Sequence, residues 1–329
     1  MYIVTGGAGF IGSNIVAGME ARGLGPIVVS DRLRDGNKWR NIAGRAVHDI
    51  VQPEDLPDYL DHHRGAIEAI IHMGAISATT ETDVDRILAN NFRLSVDLWR
   101  WCARHQTRLL YASSAATYGD GTAGFEDDFS LDAMSRLRPL NPYGWSKHLF
   151  DLRIRNDINA GRAAPPQWVG LKFFNVYGPN EYHKTGQMSV VAQVHPVARQ
   201  GEAFPLFRSH RPDVPDGGQS RDFIWVGDVV DVVLWLLASR KVSGLFNLGT
   251  GQARSFLDLA SAVYRTLGRE PAIAWRDTPE AIRDKYQYFT QADMTRLRAA
   301  GYNQPFTSLE DGVDRYVQGY LEHTDNPYR

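Results

Sequence analysis

Tyr2-Ile3-Val4-Thr5-Gly6-Gly7-Ala8-Gly9-Phe10-Ile11-Gly12 is the stretch that decides the fold. Its first four residues read as a short buried strand, and the glycines after them read as a turn into a helix. Glycines there permit a tight reversal, let the backbone approach a pyrophosphate, and let the helix pack closely on the strand. The helix's first amides then face the phosphates. The spacing Gly6, Gly9, Gly12 also occurs in purely structural turns, so context carries the reading. That context is present: a strand before, an amphipathic helix after (Ile11, Ile15, Val16, Met19), and a second strand, Ile27-Val28-Val29-Ser30, ending in Asp31. Gly6, Gly9, Phe10, Ile11 and Gly12 are accordingly expected to cradle a dinucleotide.

An acid at the end of that second strand binds the adenine ribose hydroxyls of NAD, whereas a neighbouring arginine accommodates the extra phosphate of NADP. Both occur, as Asp31 and Arg32, with Lys38 close behind. The two cations favour NADP over NAD, against the alternative that they are solvated loop charges.

Further along, strand-like and helix-like stretches alternate. They are Ala69-Ile70-Ile71-His72, a helix from about Val84 to Arg104, Leu109-Leu110-Tyr111-Ala112-Ser113, a helix carrying Tyr143, and a strand from Trp168 to Phe173. Such alternation specifies an α/β fold, a Rossmann-type doubly wound parallel sheet. Prolines and glycines break up the chain from Gly178 to Gly218, where a smaller substrate-binding lobe should begin. Sheet elements return at Phe223 to Leu237 and Phe246 to Leu248. The expected division is a dinucleotide-binding domain over 1–173, also receiving about 223–250 and 287–312, and a substrate lobe over 174–222, about 251–286 and 313–329.

Composition narrows the partners. A net charge of −2 supplies no basic face for nucleic acid. A single cysteine, Cys102, excludes an internal disulfide framework and any cysteine cluster for zinc or iron–sulfur, and it reads as a buried helix residue; no metal is expected. A strand beginning at residue 2 and a longest apolar run of only Val232 to Ala238 lead us to expect no signal peptide, no membrane span and a cytoplasmic location.

Tyr143-Gly144-Trp145-Ser146-Lys147 adds chemistry to this frame. On a helix, residues four apart share one face, so a phenol and an ammonium stand one turn apart. A nearby cation favours the phenolate and should bring the phenol, which ionises near pH ~10, towards use as a base. Taken alone the pair is more often a half-buried tyrosine beside a solvated lysine. Ser113-Ser114-Ala115-Ala116-Thr117-Tyr118-Gly119 shifts the balance, because the turn after a strand lies at the sheet's carboxyl edge, where ligands bind. Ser114 could donate to a substrate oxygen there, or cap the next helical turn.

Together Thr5-Gly6-x-x-Gly9-x-x-Gly12, Ser114, Tyr143-x-x-x-Lys147 and Asn175-Val176-Tyr177-Gly178-Pro179 resemble the extended short-chain dehydrogenases/reductases that act on nucleotide sugars. Within that group the sequence is most similar to the ADP-L-glycero-D-manno-heptose 6-epimerases. Phe174 to Pro179 followed by His183-Lys184, and Tyr286-Gln287-Tyr288-Phe289-Thr290-Gln291-Ala292-Asp293, carry that likeness. The resemblance implies an isomerase of lipopolysaccharide core heptose synthesis. It would oxidise C6 of an ADP-heptose with tightly bound NADP and return the hydride to the other face. It further implies Tyr143 as one acid/base and Lys184 as the second, Ser114 on the substrate oxygen, and Lys147 on the nicotinamide ribose. Gly74, Ala75, Ser77, Asn90 and Val176 would join the cofactor contacts; Asn175, Phe207, Arg208, Ser209, Arg221 and Tyr286 would bind the substrate. Arg221 suits a diphosphate as a planar fork, or pairs with Asp222. The assembly implied is a homo-oligomer, a pentamer being one such form.

The pattern departs from the family in places. Met73 stands where an acid is expected, Gln193 where some members carry histidine, and Arg208 to Gly218 is longer than the matching loop. Rival readings follow the same fold. A 4,6-dehydratase needs an acid pair where Ala115 and Ala116 stand, so it loses. A UDP-hexose 4-epimerase needs no partner like Lys184 and is the runner-up. A non-catalytic NADP-binding regulator would have no use for Ser114, Tyr143, Lys147 and Lys184 together.

Overall fold

The computed structural model describes residues 1–283, 287–323 and 328, so the expectation for Tyr286 lies outside the described residues. In chain order the first half runs β1 (Tyr2–Thr5), α1 (Phe10–Ala21), β2 (Ile27–Ser30), β3 (Asp49–Val51), α2 (Leu56–His63), β4 (Ala69–His72), α3 (Val84–Ile87), α4 (Leu94–His105), β5 (Arg108–Ser114), α5 (Leu131–Arg136), α6 (Pro142–Asn159) and β6 (Trp168–Phe173). The second half continues with β7 (Asn175–Tyr177), α7 (Val190–Gln200), β8 (Phe204–Phe207), β9 (Ser220–Trp225), α8 (Val226–Ala238), β10 (Gly244–Leu248), β11 (Ala253–Ser255), α9 (Phe256–Thr266), β12 (Ile273–Arg276), α10 (Glu280–Arg283), α11 (Thr295–Ala299) and α12 (Leu309–Tyr316).

Seven strands form one sheet in the order β10-β6-β5-β4-β1-β2-β3, and every pairing in it is parallel. β1, β2 and β4 are buried along their whole length, which is why they read as unbroken apolar runs rather than alternating ones. The chain leaves β1 in one direction towards β2 and β3 and in the other towards β4 and β5. That reversal opens a crevice at the carboxyl ends of β1 and β4, the place where such sheets take ligands.

α1 departs from the amphipathic expectation: Phe10 and Gly12 to Met19 are all buried. The reason is α8, which covers its outer flank; a Cβ on Gly18 would stand 2.3 Å from Val230 Cγ1. The expected helix from about Val84 to Arg104 is continuous but widens into a π-turn over Leu88–Arg93 between α3 and α4. β9 does not rejoin the large sheet as the sequence suggested. It pairs with β7 and β11 in a separate three-stranded sheet, while β10 alone returns to the main sheet beside β6.

Four apolar clusters result among the described residues, and two of them take up the C-terminal helices. Leu297 and Tyr302 join the core beneath the main sheet, whereas Leu309 and Val313 of α12 pack with Leu259 of α9 and Val191 of α7 in the second. Residues 287–312 therefore divide between the cores. Each fully buried aliphatic side chain contributes roughly 1.5–3 kcal/mol, so even the short helices of the second core are held mainly by packing. Serines cap them: Ser189, Ser255 and Ser308 each accept a backbone amide, and Ser255 with Asp258 completes a capping box.

Candidate active site

A cleft of about 690 Å3 opens at the carboxyl edge of the sheet. Gly6, Gly9, Phe10, Ile11 and Gly12 line it from the glycine turn, Asp31, Arg32 and Lys38 from beyond β2, and Gly74, Ala75 and Ser77 from beyond β4. Asn90 of the π-turn, Tyr143 and Lys147 of α6, and Lys184 complete the lining among the expected residues.

The glycine turn is sterically closed to other side chains. Gly6 has a φ of +65°, and a Cβ on Gly12 would stand 2.2 Å from the Gly6 carbonyl oxygen. No side chain caps the amino end of α1, so its first-turn amides suit a phosphate. Asp31 accepts from the Ala8 amide at 3.0 Å, tying β2 to the turn, and Lys38 is salt-bridged to the same carboxylate. Arg32 donates to Glu54 through Nε at 2.8 Å and to Asn90 through Nη1 at 3.0 Å. Its guanidinium holds the Glu54 carboxyl below the usual range. Arg34 and Arg86 line this end as well. With glycines for a pyrophosphate, an acid for ribose and cations beside it, the residues fit a nicotinamide dinucleotide.

α6 starts at Pro142, with Asn141 as cap accepting the Gly144 amide at 2.8 Å. A Cβ on Gly144 would lie 2.6 Å from the Ala116 carbonyl oxygen, so glycine allows the helix to press on the turn after β5. That approach brings the Tyr143 phenol into hydrogen-bond contact with Ser114. Ser114 also caps its own turn, accepting the Ala116 amide at 3.1 Å, which is the second of its two expected uses.

The electrostatics correct one expectation. Tyr143 is pushed above its usual value by burial, with the Ser114 hydrogen bond opposing, rather than drawn down by Lys147. Lys147 is only 3% exposed and donates its ammonium to the Ala112 carbonyl at 2.7 Å. Loss of water dominates at both groups, and it lowers Lys147 itself to about 8.

Lys184 sits on a 3-10 turn, Tyr182–Gln187, with its Nζ 4.4 Å from the centre of the Phe10 ring. Burial lowers its proton affinity, and Glu181 opposes that shift. The Glu181 carboxylate is buried and accepts from the Ser189 amide at 2.5 Å, the Ser189 hydroxyl at 2.6 Å and the Tyr316 hydroxyl at 3.0 Å. Two potential proton carriers, Tyr143 and Lys184, thus reach one cleft from different elements. Such an arrangement can remove a proton at one position and supply one at another.

A model of the NAD dependent epimerase/dehydratase family matches residues 2–249. The chain is 49% identical over 327 residues to an ADP-L-glycero-D-manno-heptose-6-epimerase of Nitratidesulfovibrio vulgaris strain DP4, covering 99% of each. The chain belongs to the ADP-L-glycero-D-manno-heptose-6-epimerase family. The crystal structure of the Helicobacter pylori heptose epimerase superposes on it with a TM-score of 0.77 at 26% identity, covering 97% of this chain and 95% of that one. A Thermus thermophilus UDP-glucose 4-epimerase in complex with NAD gives 0.73 at 25% identity, covering 96% and 97%. The heptose-epimerase family uses a nicotinamide cofactor and the chain is an epimerase, an isomerase by reaction class.

The structure does not bring every expected residue of this heptose epimerase to the cleft. Val176 packs against the core beneath the main sheet and the core that holds α12, and Asn175 is exposed on β7. Phe207, Arg208 and Ser209 lie on and after β8 in the second lobe; Arg208 reaches Asp216 at 3.7 Å, and the Ser209 amide donates to Asp216 at 2.9 Å. Arg221 does not pair with Asp222: it donates to the Ser220 and Gln287 carbonyls, while Asp222 accepts from the Thr250, Gly251 and Ala292 amides. Met73 lines the cleft where an acid was expected, and Gln193 donates to the Met188 carbonyl at 2.7 Å. The long loop folds on Tyr288, whose hydroxyl meets His210 Nδ1 at 2.7 Å. Among the described residues no helix is long and apolar enough to cross a membrane, and no group of His, Cys, Asp or Glu is placed to hold a metal.

Sequence reasoning missed several residues that shape this heptose epimerase site. Asn91 is one: its side chain donates to the Ile76 carbonyl at 2.9 Å and to the Ser146 hydroxyl at 3.1 Å, binding the β4 loop to α6. His72 is another, joined to Thr5 Oγ1 at 2.6 Å and Ser95 Oγ at 2.9 Å. Asp151 was legible, lying one turn beyond Lys147 in the same four-residue step as Tyr143 and Lys147.

Proposed function

We propose that this epimerase inverts C6 of ADP-glycero-manno-heptose, from the D-glycero to the L-glycero form, by transient oxidation at that carbon. The observation that carries the reading is Lys184 on the cleft that also holds Tyr143. A nicotinamide, when bound, would supply the reversible hydride-transfer chemistry that transient oxidation at C6 requires. The chain supplies proton handling and position. Tyr143 takes the C6 hydroxyl proton, and Ser114 donates a hydrogen bond to the same oxygen. Lys147 presents its ammonium to the ribose, and the Ser114 hydrogen bond favours the phenolate against the burial that opposes it. Lys184 returns a proton to the oxygen once the carbon has been presented the other way round. With the C6 oxygen presented to different sides of the cleft in the two half-reactions, two differently placed groups serve it, one in each.

NADP is the proposed form of the cofactor. Lys38 offsets the Asp31 charge that would repel an added phosphate, and Arg32, Arg34 and Arg86 surround that end of the cleft. The experiment is incubation of the purified protein with ADP-heptose, and separately with a UDP-hexose, in deuterated water, with epimers resolved by NMR. C6 inversion of ADP-heptose without carbon-bound deuterium is the expected result. Deuterium on carbon would overturn direct oxidation, and turnover of the UDP-hexose alone would transfer the reading to a 4-epimerase.

A further inference from the structure

Behind the Tyr143 and Lys147 pair the structure buries a carboxylate between two ammonium groups. Asp151 is 0% exposed, Lys147 3% and Lys172 2%. Placing three ionisable groups out of water is costly unless charge and hydrogen bonds are matched, so their arrangement is informative. Asp151 accepts from the Ser113 hydroxyl at 2.6 Å and the Tyr111 hydroxyl at 3.1 Å, and lies 3.8 Å from Lys172 Nζ. Lys172 donates to Thr117 Oγ1 at 2.6 Å, and Thr117 donates to the Ser114 carbonyl at 2.8 Å. Lys147 meanwhile donates to the Ala112 carbonyl. Three consecutive residues at the end of β5, Ala112, Ser113 and Ser114, are thus fastened by one charged cluster.

We propose that Asp151 is a positioning residue for the reaction, holding the strand end that presents Ser114 and supplying the negative charge that answers Lys147. Tyr143, Lys147 and Asp151 occupy successive turns of one helix face, so the carboxylate stands one turn behind the ammonium. The proposal rests on the reading of Tyr143 and Lys147 as the proton-handling pair. Other groups bear on the cluster from every side. On α6, His148 feels the Lys172 charge; from β4, His72 feels Lys147; after β5, Tyr118 lies under Lys172 at 4.4 Å, and Asp127 adds a second carboxylate towards it. Burial pulls both lysines down and pushes Asp151 up, while Asp151 raises each lysine in turn. Lys172 competes with Lys147 for the Asp151 carboxylate.

The protein has six lysines, so its lysine side chains can be followed individually by NMR after 13C labelling, with Lys147 assigned from the spectrum of Lys147→Arg. In Asp151→Asn the Lys147 titration midpoint, about 8 in the parent, should fall by roughly one pH unit, and the alkaline limb of kcat/KM should fall with it. Asp151→Glu should return both. Lys172→Met should move the midpoint upward, since the competing ammonium is gone, and it decides the matter alone if Asp151→Asn fails to fold. Unmoved Lys147 midpoints in the folded variants, with only the height of the activity profile reduced, would overturn the proposal. Undiminished turnover in Lys147→Met would instead overturn the reading of the pair, and the NMR midpoints would still judge Asp151.

Discussion

Lys184 and Glu181 are joined through the backbone: the Lys184 amide donates to the Glu181 carbonyl at 3.0 Å, which sets the lysine one turn beyond a fixed carboxylate. The side chain proposed as the second proton carrier is therefore braced at its base, while its Nζ lies over Phe10 of the glycine turn. Lys184→Met keeps much of the apolar stem and removes the proton carrier. Cofactor affinity should stay within about threefold, and C6 inversion should fall by roughly 10²–10⁴-fold, the range expected for loss of general acid/base catalysis. Fluorescence titration of the dinucleotide beside an NMR epimer assay checks both, and undiminished inversion would remove Lys184 from the mechanism.

Arg32 is engaged with Glu54 and Asn90, so Arg32→Ala takes a cation and a bridge from the adenosine end together. Affinity for NADP should drop about tenfold more than affinity for NAD, the worth of one charge-assisted contact. Calorimetric titration with both dinucleotides gives the ratio; equal losses would show that Arg32 only braces the loop.

Gly12→Ala should be the most damaging single methyl in the dinucleotide turn. The new Cβ meets the Gly6 carbonyl oxygen at 2.2 Å, a backbone atom that cannot swing aside. The expected cost is on the order of 3 kcal/mol, with dinucleotide binding lost. Gly23→Ala serves as a control for a strained glycine in open space, having a φ of +66° and nothing within 4 Å of a Cβ. Urea unfolding should rank Gly12→Ala well below it, and a smaller loss at Gly12 than at Gly23 would show that the turn can relax.

His72 carries a pH dependence of stability. Burial, helped by the Lys147 charge, lowers it from 6.5 to about 3. Between those values the unfolded chain binds a proton that the folded one refuses. This contribution is therefore complete above pH 6.5 and lost as pH falls towards 3, at about 1.4 kcal/mol per unit. The stability difference between the parent and His72→Gln should shrink by a few kcal/mol from pH 7 to pH 4.5 in urea titrations. A difference that does not change with pH would show that His72 is protonated in the fold.

The glycine turn, the strand ends and the Tyr143 to Lys147 step were legible because each is a local pattern whose physics is complete within a few residues. Local pattern failed where a tertiary partner decided the outcome. α1 reads as amphipathic until α8 covers it, and β9 reads as a return to the main sheet until β7 and β11 claim its edges. The π-turn that lets Asn90 face Arg32 and Asn91 face Ser146 has no signature in spacing. The depression of Lys147 was likewise hidden, since a four-residue step fixes the distance along a helix but says nothing about how much water remains.

Glu181 takes one of its hydrogen bonds from Tyr316, 135 positions further along the chain. The dinucleotide turn is complete within the first tenth of the sequence, whereas the setting of Lys184 waits for the last long helix. During synthesis the growing polypeptide can fold its cofactor cradle early, yet the group that would let it finish an inversion is seated only when α12 emerges. The cofactor turn and the seat of the second proposed proton carrier are thus completed at opposite ends of translation.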